Sequence, residues 1–127
     1  MYTTYMAFSM LLNVSSERAG VGAGVLLRAI EPLDGAELMD STLQGSGRHD
    51  IGRGPGRLTK ALKIDLRHDG IDLCKKGSSL WLVESAQRTR RIGKSVRIGL
   101  AYEADRILRF YERGSIYVSG PKRLLRD

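Results

Sequence analysis

The residues able to do chemistry in this sequence stand in a few places. Arg28 lies within Val25-Leu26-Leu27-Arg28-Ala29-Ile30, on the same alternating face as Leu26 and Ile30. A guanidinium among apolar neighbours needs a carboxylate, a carbonyl or a ligand. The alternative is a strand-end arginine that snorkels or pairs with an acid such as Glu31. Asn13 interrupts Leu11-Leu12-Asn13-Val14, where asparagine is disfavoured. A buried amide there can test the hydrogen-bonding edges of a ligand, or it can be an ordinary satisfied turn residue. Gly54-Pro55-Gly56-Arg57 opens a helical pattern and offers free N–H groups and a cation to a phosphate, or is a plain turn and helix start. It matches neither a Walker loop nor a dinucleotide fingerprint. Arg88, Arg90, Arg91, Lys94 and Arg97 form a cationic cluster that suits phosphate contact or a solvated loop.

Other chemistry is thin. Cys74 beside Lys75 and Lys76 is a setting that can activate a thiol or hold a semi-buried small residue. His49 and His68 lie in polar stretches with no obvious partner, and no Ser-His-Asp spacing, HExxH or CxxC is present. One cysteine excludes an intramolecular disulfide framework and a multi-cysteine zinc site, and two histidines leave little for a histidine-built metal centre, so no metal is expected.

Those groups must be positioned by a single domain, since 127 residues make one core and bury roughly two-thirds of the unfolded surface. Hydrophobic residues at 42% and charged residues at 28% are globular proportions, which excludes a disordered chain. No apolar run approaches the roughly 20 residues that span a bilayer, and Met1 to Met10 lacks the basic start of a signal peptide. A cytoplasmic protein without a membrane partner is expected. The formal charge of +7 makes a polyanion such as nucleic acid a natural partner.

The gap-free run Tyr2 to Val14 predicts one long strand. A Gly- and Ser-rich turn over Ser15 to Gly24 leads to a buried strand over Val25 to Ile30, giving a hairpin. Leu33 to Leu43 predicts a short helix with Asp34 as N-cap. Gln44 to Gly56 predicts an exposed loop, and Arg57 to Ile64 an amphipathic helix with Leu58, Ala61 and Leu62 inward and Arg57, Lys60 and Lys63 outward. Asp69-Gly70 signals a turn. Leu80 to Val83 predicts a buried strand, Ser85 to Ser95 a surface loop, and Val96 to Ala101 and Ile107 to Tyr111 two further strands. Gly114 to Ser119 closes the domain, and Pro121 to Asp127 reads as a frayed basic tail. The order is α+β, with few short helices, rather than alternating βαβ.

Several blocks resemble the alkyladenine (3-methyladenine) DNA glycosylases. They are Asn13-Val14-Ser15-Ser16, Val25 to Gly35, Gly54 to Leu62 with Ile64-Asp65, Val96-Arg97-Ile98-Gly99-Leu100, Leu108-Arg109-Phe110-Tyr111, Gly114-Ser115 and Val118-Ser119. They stand in the family's order and cover the chain to about Ser119. The resemblance implies an α+β domain over residues 1–119 around a curved, largely antiparallel sheet, followed by a tail over 120–127. It implies a monomeric, cofactor-free, monofunctional base-excision enzyme that flips an alkylated or deaminated purine from double-stranded DNA and hydrolyses its glycosidic bond. A bacterial member would be associated with the nucleoid. By resemblance Asn13 is the pocket asparagine that disfavours guanine, Arg28 helps to hold the attacking water, and the Ile98 backbone carbonyl also touches it. Arg57 matches a phosphate-contacting position. The DNA surface is expected to include Lys60, Arg88, Arg90 and Arg91.

The departures shape the expectation as much as the matches. The family's catalytic carboxylate lies upstream of the blocks found here, so the chain reads as truncated at its amino terminus, with the general base absent. Met6-Ala7-Phe8 stands where the family has Tyr-Gly-Met, so Met6 replaces the intercalating tyrosine, with Phe8 beside it. Thr3 replaces a second pocket tyrosine and cannot stack. Ile107 and Ile116 stand where the family has prolines. Glu17 is the nearest acid in sequence to Asn13, but turn acids are ordinarily solvated. Loss of a general base removes roughly 10²–10⁴ in rate, about 3–5 kcal/mol of barrier. Weak or no excision is therefore expected, with a non-specific DNA-binding remnant or a decayed gene product as the alternative. Uncovered sheet edge and apolar surface should also promote aggregation.

Overall fold

A computed structural model describes residues 2–6, 9–40, 47–86 and 91–125. The predicted long first strand is two strands. β1 (Tyr2–Met6) pairs antiparallel with β2 (Ser9–Val14), from Tyr2 opposite Asn13 to Met6 opposite Ser9. The sequence carries no Gly, Pro or Asn between them to announce a reversal. Pairing the two halves gives both backbones their hydrogen-bond partners.

β3 (Val25–Leu26) pairs with the other side of β2, placing Leu26 opposite Asn13 and Val25 opposite Val14. This confirms the hairpin but shortens its second strand. The rest of the predicted run changes partner. Leu27 N still donates to Leu12 O at 3.0 Å, but Ile30 N donates to Gly52 O at 3.0 Å and Ala29 bridges Arg53. Gly52 is required there, because a Cβ would stand 2.3 Å from the Ile30 carbonyl oxygen.

α1 (Ala36–Asp40) falls inside the predicted helix. Its cap is one residue later than expected: Gly35 O accepts from Leu38 N and Met39 N at 3.0 and 3.1 Å. The predicted end of that helix, Leu43, lies outside the described residues. α2 (Pro55–Ala61) begins two residues before the prediction and ends three before it. Pro55 suits the first turn, where its missing N–H is no loss. The end is set by Lys63, which adopts a positive φ of 52°. That turn carries Ile64 back into the core, with its amide on Thr59 O at 2.8 Å.

The predicted inner and outer faces of α2 hold. Leu58 and Ala61 are buried, whereas Arg57, Lys60 and Lys63 are exposed. Leu58 meets Leu12 of β2 and Ile64, with Leu27, Ile30, Leu62 and Leu80 at the margin. A second cluster joins Ala36, Ile51, Ala61 and Met39 between α1 and α2.

The later part of the chain departs further. Leu80 to Val83 is not a strand, and Leu82 and Val83 are exposed. Leu82 N finds Leu73 O at 2.8 Å, which ties the run to a loop rather than a sheet. The strand expected at Val96 to Ala101 lies upstream, as β4 (Ile92–Ser95), inside the expected loop. It pairs antiparallel with β5 (Arg109–Glu112), which starts two residues after the predicted Ile107. Gly99, at φ 76°, bends the predicted segment out of extension.

The tail is structured through residue 125, with a 3-10 turn at Lys122–Leu124 and Leu125 N on Lys122 O at 2.9 Å. The result is an α+β arrangement of short helices and two small antiparallel sheets. Among the described residues, no helix is long and apolar enough to cross a membrane.

Candidate functional site

Asn13 occupies the central strand, between Tyr2 of β1 and Leu26 of β3, and is half-buried. Thr3 is in β1 opposite Leu12, and Met6 ends that strand opposite Ser9. Phe8 lies outside the described residues. Arg28 follows β3 and is half-buried, and among the described residues its buried Nε has no hydrogen-bond partner. Such an N–H costs about 1–3 kcal/mol if it stays unpaired. A cleft of about 210 Å³ lined by Val14, Ser15, Leu73, Cys74 and Leu82 begins one residue beyond Asn13. Asn13 itself is not among its lining residues.

The cations expected to face phosphate have varied surroundings. Arg57 is 3.1 Å from Asp50 Oδ1, and Arg53 reaches the same oxygen at 3.8 Å. One carboxylate thus partly offsets two arginines at the start of α2. Lys60 is exposed on the outer face. Arg91 is exposed and its carbonyl accepts from Arg113 N at 2.8 Å. Arg88 and Arg90 lie outside the described residues. From the same sequence cluster, Lys94 sits 5.6 Å from the Phe110 ring centroid, a cation–π contact. Arg97 Nη2 donates to the carbonyls of Tyr102 and Glu103, both at 3.3 Å, so it is engaged in loop structure.

The histidines do have partners, contrary to the sequence reading. His68 Nδ1 accepts from Asp65 N at 3.2 Å in a capping box. The bidentate contact with Arg67 holds the Asp65 carboxyl down at about 2. His49 tilts against Tyr117 with ring centroids 6.2 Å apart. Cys74 is exposed, and its amide donates to Asp72 Oδ1 at 2.8 Å.

The sequence reading missed the most deeply buried arginine among the described residues. Arg109 is 5% exposed. Its Nη1 donates to Ser95 Oγ at 3.0 Å and its Nη2 to the Ser119 carbonyl. Its guanidinium carbon stands 5.1 Å from the Tyr111 ring centroid. Burial, and then the charge of nearby Arg28, pull this guanidinium below its ordinary value. Tyr111 in turn lies on Gly93, its register partner, where a Cβ would come within 2.3 Å of the ring. The signal was available, because strand alternation places Arg109 and Tyr111 on one face.

Comparison with known proteins gives a consistent picture. The family model described as methylpurine-DNA glycosylase (MPG) matches residues 1–116. A Mesorhizobium japonicum protein is 54% identical over 122 residues, covering 94% of this chain and 58% of the relative. A Paraburkholderia phytofirmans protein is 47% identical, covering 92% of this chain and 54% of the relative. A Chlorobium phaeobacteroides protein is 36% identical, covering 94% and 62%. All three carry the provisional name 3-methyladenine DNA glycosylase. The chain spans somewhat over half the length of these curated relatives.

Proposed function

The chain belongs to the methylpurine-DNA glycosylase family, and on that premise we propose that it engages duplex DNA carrying alkylated or deaminated purines and hydrolyses the glycosidic bond of a flipped base. Asn13 and Thr3 face the base in this reading. Arg28 and the Ile98 backbone carbonyl hold the water. Arg57, Lys60, Arg88, Arg90 and Arg91 meet phosphate, and Met6 and Phe8 fill the gap the base leaves. It works as a monomer at the nucleoid.

The observation that carries the reading is Arg28. It is a cation beside the sheet that holds Asn13, with a buried Nε that no described residue satisfies. A water or an anion there would satisfy it. In this reading no acid is assigned to activate the water, so excision by these 127 residues is slow. Non-specific duplex binding by the exposed cations then dominates, with an affinity of roughly 10⁻⁴–10⁻⁶ M that falls steeply with salt.

Two measurements test this. Single-turnover release of hypoxanthine and 3-methyladenine from duplex oligonucleotides should be slow, and fast release overturns the low-activity reading. Fluorescence anisotropy of a labelled duplex should rise at low salt and collapse at high salt. No rise at low salt removes DNA as the partner.

A further inference from the structure

The segment Val118–Gly120 is gripped at two adjacent carbonyls by two arginines that stand 65 and 10 residues away in sequence. Arg53 Nε donates to Val118 O at 3.2 Å. Arg109 Nη2 donates to Ser119 O. The next residue, Gly120, is at φ 105° and packs so closely on Ile98 that a Cβ would stand 2.4 Å from Ile98 Cδ1. Arg53 is itself the bridge partner of Ala29, the neighbour of Arg28. Residues 118–120 therefore form a strap that runs from Arg53, the bridge partner of Ala29, to Ile98.

The anchoring is built rather than incidental. Arg109 is buried, its other nitrogen is taken by Ser95 Oγ at 3.0 Å, and Tyr111 on Gly93 supplies an aromatic shelf 5.1 Å away. A buried cation is tolerated only when its donors are satisfied, and here a carbonyl, a hydroxyl and a ring face do that. A planar arginine fork holds two acceptors in a set geometry, whereas the rotatable ammonium of lysine does not impose one.

We propose that Arg109 and Arg53 are positioning residues that, by holding the Val118–Gly120 strap, set the Ile98 backbone relative to Arg28. The inference rests on the proposed function for its meaning, since Arg28 and Ile98 are the groups assigned there to the water. Its geometry can be tested without catalysis.

The test uses the full chain as wild type and as Arg109→Gln, Arg109→Lys, Arg53→Gln and Gly120→Ala. Amide NMR follows Ile98, Gly99 and Gly120, with Leu58 and Thr59 reporting the core, and the Arg28 Nε–H signal is followed separately. Arg109→Gln should speed exchange at Gly120 by about tenfold or more and move the Ile98 and Arg28 signals, leaving Leu58 and Thr59 in place. Arg109→Lys should keep the Arg28 signal near its wild-type position but not restore Gly120. Gly120→Ala should displace Ile98 with Arg109 intact. If Arg109→Gln unfolds the core, Arg53→Gln and Gly120→Ala decide the question alone. Unmoved Ile98 and Arg28 signals in the folded variants overturn the proposal.

A second arm measures single-turnover base release at saturating protein together with duplex affinity. Arg109→Gln should lower the rate about tenfold or more and leave Kd unchanged; an unchanged rate overturns the proposal. If the wild type releases no base, the glycosylase reading fails, and the NMR arm still decides whether the strap sets Ile98.

Discussion

The hydroxyl of Thr59, in α2, donates to the carbonyl oxygen of Met10, in β2, at 2.8 Å. Thr59 is only 1% exposed, and its oxygen also lies 3.0 Å from Gly56 O and 3.3 Å from Pro55 O. This polar link joins the helix that bears Arg57 to the strand that bears Asn13. Thr59→Val keeps the shape and removes the donor, so it should cost about 1–2 kcal/mol in urea unfolding. A variant as stable as wild type would mean that the Met10 carbonyl finds another donor.

Gly52 and Ile30 make a close backbone approach. A Cβ at residue 52 would stand 2.3 Å from Ile30 O and 2.6 Å from Ile30 Cγ1. Because the nearer atom is backbone, the strain cannot be relieved by a rotamer change. Gly52→Ala should destabilise by about 1–3 kcal/mol and disturb the Ala29–Arg53 bridge. Thermal unfolding of the pair of proteins measures this.

The Asp65 carboxyl, held at about 2 by hydrogen bonds and the charge of Arg67, has its folded value below the ordinary 3.8. The sign follows from linkage. The folded state prefers the ionised form, so the stabilising contribution is present above pH 4 or so and is lost as pH falls toward 2. Both groups are exposed, so the effect is small. A carbon-detected NMR titration should place the Asp65 midpoint near 2 in wild type, and Arg67→Ala should return it toward 3.8.

Asp50 lies 3.1 Å from Arg57 and 3.8 Å from Arg53. If Arg57 meets a DNA phosphate, Asp50 competes with it. Asp50→Asn should tighten duplex binding, and Arg57→Ala should weaken it for all sequences alike and reduce the salt slope by about 1. Anisotropy titrations over a salt series read both.

The outer face of the β4–β5 sheet carries Ile92 at 55% and Phe110 at 60% exposed. Leu108 and Ile116 are also exposed nearby in sequence. Large apolar side chains in contact with water promote association. The double variant Ile92→Thr, Phe110→Thr should bind less hydrophobic dye and stay monomeric to higher concentration in light scattering.

Local pattern was enough to identify the amphipathic helix around Leu58, the hairpin leading to Val25, and Arg28 as a residue in need of a partner. Each depends on neighbours a few positions away, and alternation or helical spacing exposes it. The order of the family blocks was also legible, and it led to the family that the chain belongs to. Other features depended on which distant segments meet. Tyr2 to Val14 looks uniform along its length, yet it folds back on itself because two paired strands satisfy backbone groups that one cannot.

Leu80 to Val83 has the composition of a buried strand but finds no strand to pair with. Gly93 looks like a breaker of β structure, and only the Tyr111 ring lying on it explains its place in β4. Arg109 reads as one more surface cation of a basic protein until Ser95, Tyr111 and Ser119 converge on it from 14, 2 and 10 residues away. Sequence by itself thus determined which residues carry charge, amide and apolar character, and the short-range elements they form. Tertiary structure alone decided which of those cations are buried and what they hold, because burial and long-range hydrogen bonding depend on chain segments whose separation in sequence says nothing of their distance in space.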